Sequence, residues 1–557
     1  MKLKRFSIGT LGLIAVSGFA WSCASKSDDC AANLNCSPYD GGSLGTSGAA
    51  GASGTNGKAG ATSGASGTSG NSGITGEGGT DPVGGSAGAA TPMCDGSLSP
   101  DLDACVISDE FGVFVAPTGD DRNADGTQAL PFATVSSALL NMGTMKRVYV
   151  CAADYIEPAA PIEIPDRVSI YGGFTCAEGN WAYGSSIPAH LMPQSPIGAM
   201  ITDAKVGVVI QDVRIDAGDA ADGASSFGLV LRRSQNIALR RVDIRAGKGG
   251  KGSAGADGTM GVDGLASGPE QNGKAGTCSN APLSQVGPVA VSQLCGSQGG
   301  MGGTAFVGTV YSSLQDGGGG ALVTPSNGGK GGDVLGKRGD DGKAGDAGVR
   351  GEVGAAAAPL GTFSENGYLP ASGGGGGAGK SGAGGGGGGA SLGTASCLGA
   401  TGGAGGMGGC GGDPGGGGQG GGASVALFSW QSSVSIESCT LVANTGGAGG
   451  DGGTAHIGGA GKAGGTGGPT DSTNKVGVGG RGGDGGNGGN GGNGAGGTGG
   501  PSIALVYEGT APVQIGPPDL RFSMVAATAG KGGKLGSMED YGPDGAKGLT
   551  QGSYQKL

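Results

Sequence analysis

The amino-acid sequence predicts an all-β fold, a right-handed parallel β-helix interrupted by glycine-rich inserts. Three observations lead to this prediction: short alternating strands, an internal repeat with matched positions, and glycine-rich segments that begin at equivalent points of the repeat. Glycine supplies 139 of the 557 residues, whereas ordinary globular domains contain about 7 %. Much of the chain must therefore fold without a conventional side-chain core.

The first strands follow a polar loop and a helical pattern. The segments 148–150, 162–164 and 168–171 are short, and apolar residues alternate with others along them. This alternation and this length are typical of β-strands with one buried face. We expect each segment to form one side of a coil of the β-helix.

The internal repeat has an offset of 29 residues, because segment 211–218 aligns with segment 240–247. Apolar residues match at the inward positions, and at the outward positions every pair has opposite charge: Asp212 with Arg241, Arg214 with Asp243 and Asp216 with Arg245. Neighbouring parallel strands place such residues side by side. We expect three exposed ion pairs, each contributing about 0.2–1 kcal/mol.

The same pattern returns after each glycine-rich segment. The matching residues are Val434 with Ile237, Ile436 with Leu239, Cys439 with Val242, and Leu441 with Ile244, while Val525 and Ala527 are the expected continuation. The preceding strands also correspond, through Phe227, Val425 and Ile503 and through Leu229, Leu427 and Leu505. Cys439 thus takes an apolar position and is interpreted as a buried hydrophobic residue. The inserts begin near 247, 446 and 530, at one equivalent corner.

Gly-Gly-x triplets dominate the inserts and are most regular over 479–493. A polyproline-type helix has three residues per turn, so these triplets place all side chains on one edge and leave two edges bare. Bare edges allow neighbouring strands to approach and to exchange backbone hydrogen bonds. We expect segment 446–500 to fold as antiparallel glycine helices that reverse at 470–475 and at 494–495; disorder is the alternative.

Two resemblances add detail. Segment 112–140, with Gly126-Thr127 and Pro131-Phe132-Ala133-Thr134, resembles the entry motif of pectate-lyase-like β-helix proteins, which implies a capping helix. In its loop, Asp120, Asp121 and Asp125 are either weak calcium ligands or turn formers and a helix cap. The inserts resemble polyglycine-II bundles and the PGRS-type glycine-rich proteins, including bacterial lipoproteins of myxobacterial type.

The N-terminus predicts export. Lys2, Lys4 and Arg5 precede an apolar run that is too short to span a membrane. The stretch 19–23 resembles a bacterial lipobox, which implies that Cys23 is acylated and that residues 1–22 are removed; an ordinary signal peptide cut near the same place is the alternative. Ala24 follows the cysteine, and we therefore expect an outer-membrane lipoprotein at the cell envelope, attached to the membrane by its lipid.

The predicted organisation follows from these segments. A Gly/Ser/Thr/Ala-rich stalk comes first, with glycine at every third residue over much of 42–79. In order, the predicted segments are the signal peptide 1–22, the stalk 23–93, the N-terminal part of the β-helix with its capping helix 94–246, a glycine-rich insert 247–422, a β-helix coil 423–445, a second insert 446–500, another coil 501–529 and a glycine-rich tail 530–557.

Twelve cysteines less Cys23 leave eleven in an oxidising compartment. Their spacing suggests pairing between neighbours: Cys30 with Cys36, Cys94 with Cys105, Cys151 with Cys176, Cys278 with Cys295, and Cys397 with Cys410. Sequence alone does not fix this connectivity. The chain has no Cys-x-x-Cys motif and only two histidines, which argues against a zinc site. We expect no metal and no cofactor.

Composition and motifs bear on function. A net charge of -11 with dispersed Lys and Arg argues against nucleic-acid binding. The sequence GGGGAGKS at 374–381 satisfies the Walker A pattern, but no apolar strand precedes it and no apolar helix follows. We therefore interpret it as a chance product of the glycine-rich tract.

The leading hypothesis is a non-catalytic structural or adhesive surface protein. The alternative is a protein that binds or cleaves polysaccharide, which would need aromatic residues and uncompensated carboxylates in one groove. After the signal region only Trp181 and Trp430 remain to stack on sugar, and this scarcity favours the first hypothesis. An extracellular polysaccharide or a surface protein is the expected partner.

Overall fold

The computed structural model describes residues 94–290, 294–322 and 338–557. These residues fall within one compact unit, Ala89–Leu557. The predicted signal peptide, Cys23, the stalk and the pair Cys30 and Cys36 lie outside the described residues. Within the described part of the chain, no helix is both long enough and apolar enough to cross a membrane.

The described chain is built mainly of strands. Before the first insert they are β1 (Val113–Val115), β2 (Arg147–Cys151), β3 (Asp154–Glu157), β4 (Ile162–Glu163), β5 (Ser169–Thr175), β6 (Ala182–Tyr183), β7 (Ala189–Pro193), β8 (Ile197–Thr202), β9 (Val208–Gln211), β10 (Val213–Asp216), β11 (Ser226–Arg232), β12 (Ile237–Arg240) and β13 (Asp243–Arg245). Within that insert they are β14 (Ser284–Gln285), β15 (Ser297–Gln298), β16 (Ala305–Phe306), β17 (Ala321–Leu322), β18 (Thr362–Ser364) and β19 (Gly367–Leu369). The remainder are β20 (Ser424–Trp430), β21 (Val434–Glu437), β22 (Thr440–Val442), β23 (Ser502–Glu508), β24 (Val513–Ile515), β25 (Asp519–Arg521), β26 (Lys534–Leu535), β27 (Met538–Tyr541) and β28 (Thr550–Lys556). The helix α1 spans Val135–Asn141, and 3-10 turns occupy Ala104–Val106, Ala177–Gly179, Pro269–Gln271 and Ser313–Gln315.

Three sheets hold most of these strands. Sheet A has the order β1-β2-β5-β9-β12-β21-β24, sheet B the order β25-β22-β13-β10-β7-β3, and sheet C the order β28-β23-β20-β11-β8-β4. Neighbours along each order pair in parallel, and the antiparallel β6 pairs with β5 off this path. From β2 onward the chain visits sheets A, B and C in rotation, so each strand pairs with strands from the previous and the following round. The fold is therefore all-β, with three parallel sheets.

The core lies between the three sheets, where matched apolar residues stack from one strand to the next. Sheet B shows the pattern in Ile215, Ile244, Leu441 and Leu520, which occupy successive register positions. The repeat alignment is confirmed, because Arg214 pairs with Asp243 and Asp216 with Arg245. The correspondences through Val434, Ile436, Leu441, Val425, Leu427, Ile503 and Leu505 are also confirmed.

The predicted continuation through Val525 is wrong. Leu520 takes the next position after Leu441, while Val525 is 72 % exposed. Ala527 is buried, but it lies in the glycine-rich segment, where its carbonyl accepts a hydrogen bond from Gly548. Cys439 is a free, buried thiol, and burial raises its pKa, as expected for a residue that fills an apolar position.

The corners between sheets A and B repeat in backbone conformation as well as in sequence position. Asp212, Arg241 and Ser438 follow β9, β12 and β21, and all three have φ between 53° and 54°. This left-handed conformation is uncommon for residues other than glycine. The same turn is therefore stacked three times, and the strands on both sides keep their register.

The N-terminal end is closed by α1, as the entry motif implies. Thr134 caps the helix, and its side chain accepts a hydrogen bond from the Ser137 N–H. Glu157 on β3 lies buried at the same helix end, where its carboxylate accepts hydrogen bonds from the N–H groups of Val135 and Ser136. The helix thereby covers the first strands of the sheets.

The inserts leave sheet B and return to sheet C. One connects β13 to β20, the next connects β22 to β23, and the last connects β25 to β28. The shorter link between β10 and β11 joins the same two sheets without a long insert. One equivalent corner thus gives rise to all three glycine-rich segments, as predicted. The last of them is not a tail, because its chain ends in Thr550–Lys556 of sheet C.

The glycine-rich segments pack side by side with a period of three residues, and we refer to residues 247–422, 446–500 and 527–549 together as the glycine bundle. Gly403, Gly406 and Gly409 donate N–H bonds to the carbonyls of Gly480, Gly483 and Gly486, with both chains advancing by three. Other neighbours run antiparallel, such as 373–388 against 403–418. The backbone is therefore paired in regular rows.

Segment 446–500 folds as one antiparallel pair. Gly479 donates to Gly468 near the reversal and Gly500 donates to Gly447 at the other end, so the turn predicted at 470–475 is confirmed. The turn predicted at 494–495 is wrong: the N–H groups of Gly491, Gly494 and Gly497 keep the three-residue spacing to their partners. At Ala495 the glycine triplet of the sequence shifts its phase, but the spacing of the backbone hydrogen bonds does not change.

The number of glycines in each triplet follows the position of the segment in the bundle. Segments 252–264 and 339–354 have one glycine per triplet, and their other side chains point outward, with Met260 60 % and Val349 70 % exposed. Segment 384–389 is all glycine and fully buried. At glycines inside the bundle, an added Cβ would collide with the carbonyl groups of neighbouring segments. Glycine is therefore needed only at positions that face another segment of the chain.

Asparagine and aspartate side chains complete the outer rows of hydrogen bonds. Asn487 and Asn490 accept the N–H groups of Gly461 and Gly458 at 2.9 and 3.3 Å. Asp484 accepts the N–H of Gly464 at 3.1 Å. These polar residues therefore satisfy backbone donors that have no carbonyl opposite them.

Candidate functional site

Two of the predicted disulfides are present and two are corrected. Cys94 pairs with Cys105 and Cys151 with Cys176, as predicted. Cys278 pairs with Cys397 and Cys295 with Cys410, whereas pairing between sequence neighbours was expected. The reason is that the bundle brings the loop segments around 278 and 295 against segment 397–410, more than 100 residues away along the chain.

The three candidate calcium ligands bind backbone and side-chain donors. Asp121 accepts hydrogen bonds from the N–H groups of Ala133 and Thr134 and from the Thr134 hydroxyl. Asp120 and Asp125 accept from the residues two positions later, in the geometry of turns. These bonds favour the interpretation as turn formers that also hold the helix-capping threonine.

The phosphate-loop pattern at 374–381 lies inside the glycine bundle. The N–H groups of Gly374, Gly377 and Lys380 donate to carbonyls of segment 349–355, and those of Gly376 and Gly379 donate to carbonyls of segment 412–415. Amides held in this way are not directed at a bound phosphate. The hydrogen bonds therefore favour the interpretation of this pattern as part of the glycine-rich tract.

Charged residues cover the outer side of sheet B. His190 Nδ1 lies 2.8 Å from Asp154 Oδ1, and its Nε2 lies 3.0 Å from Asp216 Oδ2. Within their own strands, Arg214 contacts Asp216 at 2.5 Å and Arg245 contacts Asp243 at 2.7 Å. The predicted pairs between strands are longer, at 3.9 Å for Arg214 and Asp243 and 3.8 Å for Arg245 and Asp216. The charges thus form one compensated network.

The titration of Asp216 reflects this network. Burial alone would raise its pKa, but the hydrogen bond and charge of Arg214, together with His190, lower it by more, so that the net pKa lies below the usual value. Asp216 is therefore held ionised by its neighbours. A carboxylate in this state does not serve as a general acid near neutral pH.

The pair Asp212 and Arg241 differs from the other two, because Asp212 is not exposed. Its side chain is 1 % exposed, and Arg241 Nε donates to it at 2.7 Å while Nη2 donates at 2.8 Å. The Tyr183 hydroxyl contacts the same carboxylate. The hydrogen bond to Asp212 is the largest cause of the raised pKa of Arg241. The expectation of three equivalent exposed pairs is therefore wrong for this one.

We expect Asp212→Asn to lower the free energy of unfolding by about 2 kcal/mol, because it removes the charge from a buried, hydrogen-bonded pair. Asparagine tolerates the left-handed backbone of this corner, so the loss reports the ion pair and not strain. The matched control is Asp519→Asn on sheet B, where the pair with Arg521 is about half exposed and the expected loss is below about 1 kcal/mol. Equal losses in denaturant titrations of the two variants would contradict this assignment.

A second cluster lies on the outer side of sheet C, at the ends of its strands. One line of register positions runs through Thr202, Arg232, Trp430, Glu508 and Lys556. The ring of Trp430 is half-buried and lies nearly parallel to that of Phe428, with a centroid distance of 5.8 Å and an angle of 13°. An aromatic ring thus sits between an arginine and a glutamate.

Neither charge beside Trp430 has an ion-pair partner among the described residues. Arg232 Nε and Glu508 Oε2 are buried atoms without a hydrogen bond. Trp430 stands between Arg232 and Glu508 and keeps them two strands apart. Lys556 is the register neighbour of Glu508 on its other side, but among the described residues the two form no ion pair. This arrangement differs from sheet B, where every charge of the network contacts an opposite one.

The insert hairpin β18–β19 covers the neighbouring part of sheet C. Phe363 and Tyr368 of the hairpin join an apolar cluster with Phe428 on this outer side. Glu365 at the hairpin turn contacts Arg233, which also binds Asp203 at 2.8 Å. The hairpin therefore ends beside Trp430. Trp181, in contrast, is 8 % exposed and packs on Phe114 in the core.

The strand alignment contained the signal for this cluster. Phe227, Val425 and Ile503 were aligned from the sequence, and five residues further along each strand lie Arg232, Trp430 and Glu508. Sequence reasoning followed the apolar positions and did not extend the alignment to these strand ends. The uncompensated charges beside Trp430 were therefore missed.

The comparisons with known proteins add no relative. No protein-family model matches the chain, and neither a curated protein nor a solved structure matches it.

Proposed function

We propose that the three sheets form a right-handed parallel β-helix of pectate-lyase-like type and that the glycine bundle is of the polyglycine-II type. The rotation of the chain through sheets A, B and C supports the first part, and right-handed crossovers are the general rule for parallel strands. The three-residue spacing of backbone hydrogen bonds supports the second. The resemblance to PGRS-type lipoproteins belongs to the same proposal.

On this fold, the chain is a non-catalytic structural or adhesive protein, exported and held at the outer membrane through a lipid on Cys23. The observation that carries the proposal is the compensated network of sheet B, because its carboxylates and arginines bind one another and none is left to act on a substrate. A stack of strands flanked by a backbone-bonded bundle suits a rigid surface layer. Nucleic acid is not an expected partner, since the net charge is -11.

We expect Cys23→Ser to release the protein from the outer-membrane fraction and to reduce cell adhesion to abiotic or polysaccharide-coated surfaces several-fold. The reason is that one acyl group and its diacylglycerol neighbour supply the hydrophobic anchor. Fractionation and adhesion assays on cells expressing either form measure the effect. Adhesion that is equally strong without the anchor would contradict the adhesive role.

The alternative is a protein that binds or cleaves polysaccharide, and the unpaired carboxylate of Glu508 beside Trp430 is the feature that favours it. Cleavage is tested on the same preparation. The proposal predicts no release of reducing ends or unsaturated sugars from acidic and neutral polysaccharides. Release that is abolished by Glu508→Gln would replace the proposed function with an enzymatic one.

A further inference from the structure

We infer that the strand ends of sheet C bind a linear neutral glycan, with one hexopyranose ring stacked on Trp430 between Arg232 and Glu508. This inference deepens the proposed adhesive function, on which it rests, by naming the ligand class. The line of register positions through these residues is continuous across β11, β20 and β23. The ligand would therefore run across the strands and not along them.

Trp430 supplies the apolar surface. Its ring is supported from behind by Phe428, which is fully buried, and Phe428 is in turn covered by Phe363 of the hairpin. A rigid aromatic ring backed in this way offers contact area at little cost in conformational entropy. The apolar face of a sugar ring matches such a surface, because the ring carbons carry C–H groups while the hydroxyls point to the sides.

The charges on both sides select a neutral polyhydroxyl ligand. A sugar hydroxyl both donates and accepts hydrogen bonds, so hydroxyls on opposite sides of the ring can donate to Glu508 and accept from Arg232. An anionic ligand would face repulsion from Glu508, and a cationic ligand would face repulsion from Arg232 on one side and from Lys556 on the other. Hydrogen bonds to charged groups are also the stronger ones. A neutral glycan is therefore the class that satisfies both side chains at once.

The line is long enough for several sugar rings. Four strand spacings separate Thr202 from Lys556, which gives about 19 Å at about 4.8 Å per strand. At the Thr202 end the surface opens into a cleft of about 610 Å³. The cleft is lined mainly by apolar side chains, among them Leu139, Leu140, Pro161, Pro165 and Met200. On the other side, the contact between Glu365 and Arg233 places the hairpin turn beside the line as a wall.

Binding is tested with the full exported protein and four neutral probes, cellohexaose, laminarihexaose, mannohexaose and maltohexaose, by calorimetry and by tryptophan fluorescence. We expect at least one probe to bind and to shift the emission of Trp430, since Trp181 is buried in the core. Arg232→Gln and Glu508→Gln should each weaken binding by about tenfold or more, because each removes a charged hydrogen-bonding partner. Glu508→Gln keeps the size of the side chain, whereas Arg232→Gln shortens a half-buried side chain, so thermal unfolding of each variant is measured beside its binding.

The matched control is Arg240→Gln on sheet A, where Arg240 is about two-fifths exposed and lies 3.5 Å from Glu437; its affinity for the probe should stay unchanged. No binding of any neutral probe would overturn the inference, as would binding that neither variant weakens. Tighter binding of oligogalacturonate than of every neutral probe would overturn the neutral class. If the glycan binds but cells that carry the Cys23-anchored protein do not adhere, the adhesive function is wrong and the glycan site stands. If the cells adhere but no glycan binds, the glycan site is wrong and the adhesive function stands.

Discussion

Replacing Gly376 with alanine is expected to destabilise the glycine bundle by about 2–4 kcal/mol, whereas Gly375→Ala should leave it unchanged or slightly more stable. A Cβ on Gly376 would lie 2.0 Å from the carbonyl oxygen of Gly492. That oxygen already accepts the N–H of Gly415 at 3.0 Å, and Gly376 donates to the Gly415 carbonyl at 2.9 Å. The added methyl group therefore separates three chain segments at once.

Gly375 is the matched control because it is the next residue in the same segment. A Cβ there would meet nothing closer than 3.6 Å, which is ordinary contact. Both substitutions restrict the unfolded chain equally, an effect that favours folding by about 0.4–1 kcal/mol, so the difference between them reports the packed state.

Hydrogen exchange measured by mass spectrometry on peptides covering 373–390 and 479–500 is the appropriate assay, since it resolves local opening. Faster exchange is expected in both peptides for Gly376→Ala and in neither for Gly375→Ala. If both variants exchange alike, the close packing of these segments is wrong.

The register of the three sheets could be predicted because side chains encode it. Matched apolar residues such as Ile215 and Ile244 stack in the core, and a slip by one residue would turn them to the outside. The corners also repeat, with Asp212 and Arg241 in the same conformation. The apolar matches are visible in the sequence at an offset of 29 residues, whereas the left-handed conformation of the two corner residues is seen only in the structure. The register of the sheets is therefore encoded by the side-chain pattern.

For the glycine bundle, the sequence predicts the type of structure but not which segments lie next to one another. Two glycine-rich segments can shift past each other by three residues and form the same backbone hydrogen bonds. Because glycine has no side chain, nothing in such a segment selects its register or its neighbour. Which segment lies inside follows from the number of glycines per triplet, as 384–389 shows. The neighbours themselves are set by chain length, by reversals such as the one at 469–475, and by side-chain acceptors such as Asn487.

In the candidate site, too, one part could be predicted from the sequence and another part could not. Trp430 was named from the sequence as one of two tryptophans able to meet a ligand, and the strand alignment that contains it was correct. What could not be judged was charge compensation, because it depends on distances between side chains. Asp212 was expected to be exposed and is buried, and Glu508 was not considered although it lacks a partner.

The two disulfides inside the glycine bundle are expected to contribute about 8 kcal/mol together, most of it through the unfolded chain. Cys278–Cys397 and Cys295–Cys410 close loops with sequence separations of 119 and 115 residues. In the chain-entropy model a loop of this size contributes about 4–5 kcal/mol when it is closed alone. The bundle has few side chains to stabilise it, so covalent links of this kind carry unusual weight.

The two contributions are not independent. Once Cys295 and Cys410 are joined, the path from Cys278 to Cys397 runs through that link and is only about 30 residues long. The double variant Cys278→Ala with Cys397→Ala should then lose about 3.5 kcal/mol, and removing both disulfides should lose more than twice as much. Cys94→Ala with Cys105→Ala, which opens a sequence separation of 11, is the control and should leave exchange in the bundle unchanged.

Peptide mapping without reduction tests the connectivity directly, and hydrogen exchange over 398–410 tests its effect. We expect linked peptides that join the region of Cys278 to that of Cys397 and the region of Cys295 to that of Cys410. A linked peptide joining Cys278 to Cys295 would show that sequence neighbours pair after all. In that case the bundle would hold its distant segments together by backbone hydrogen bonds alone, and the loss on reduction would fall to about 3 kcal/mol for each short loop.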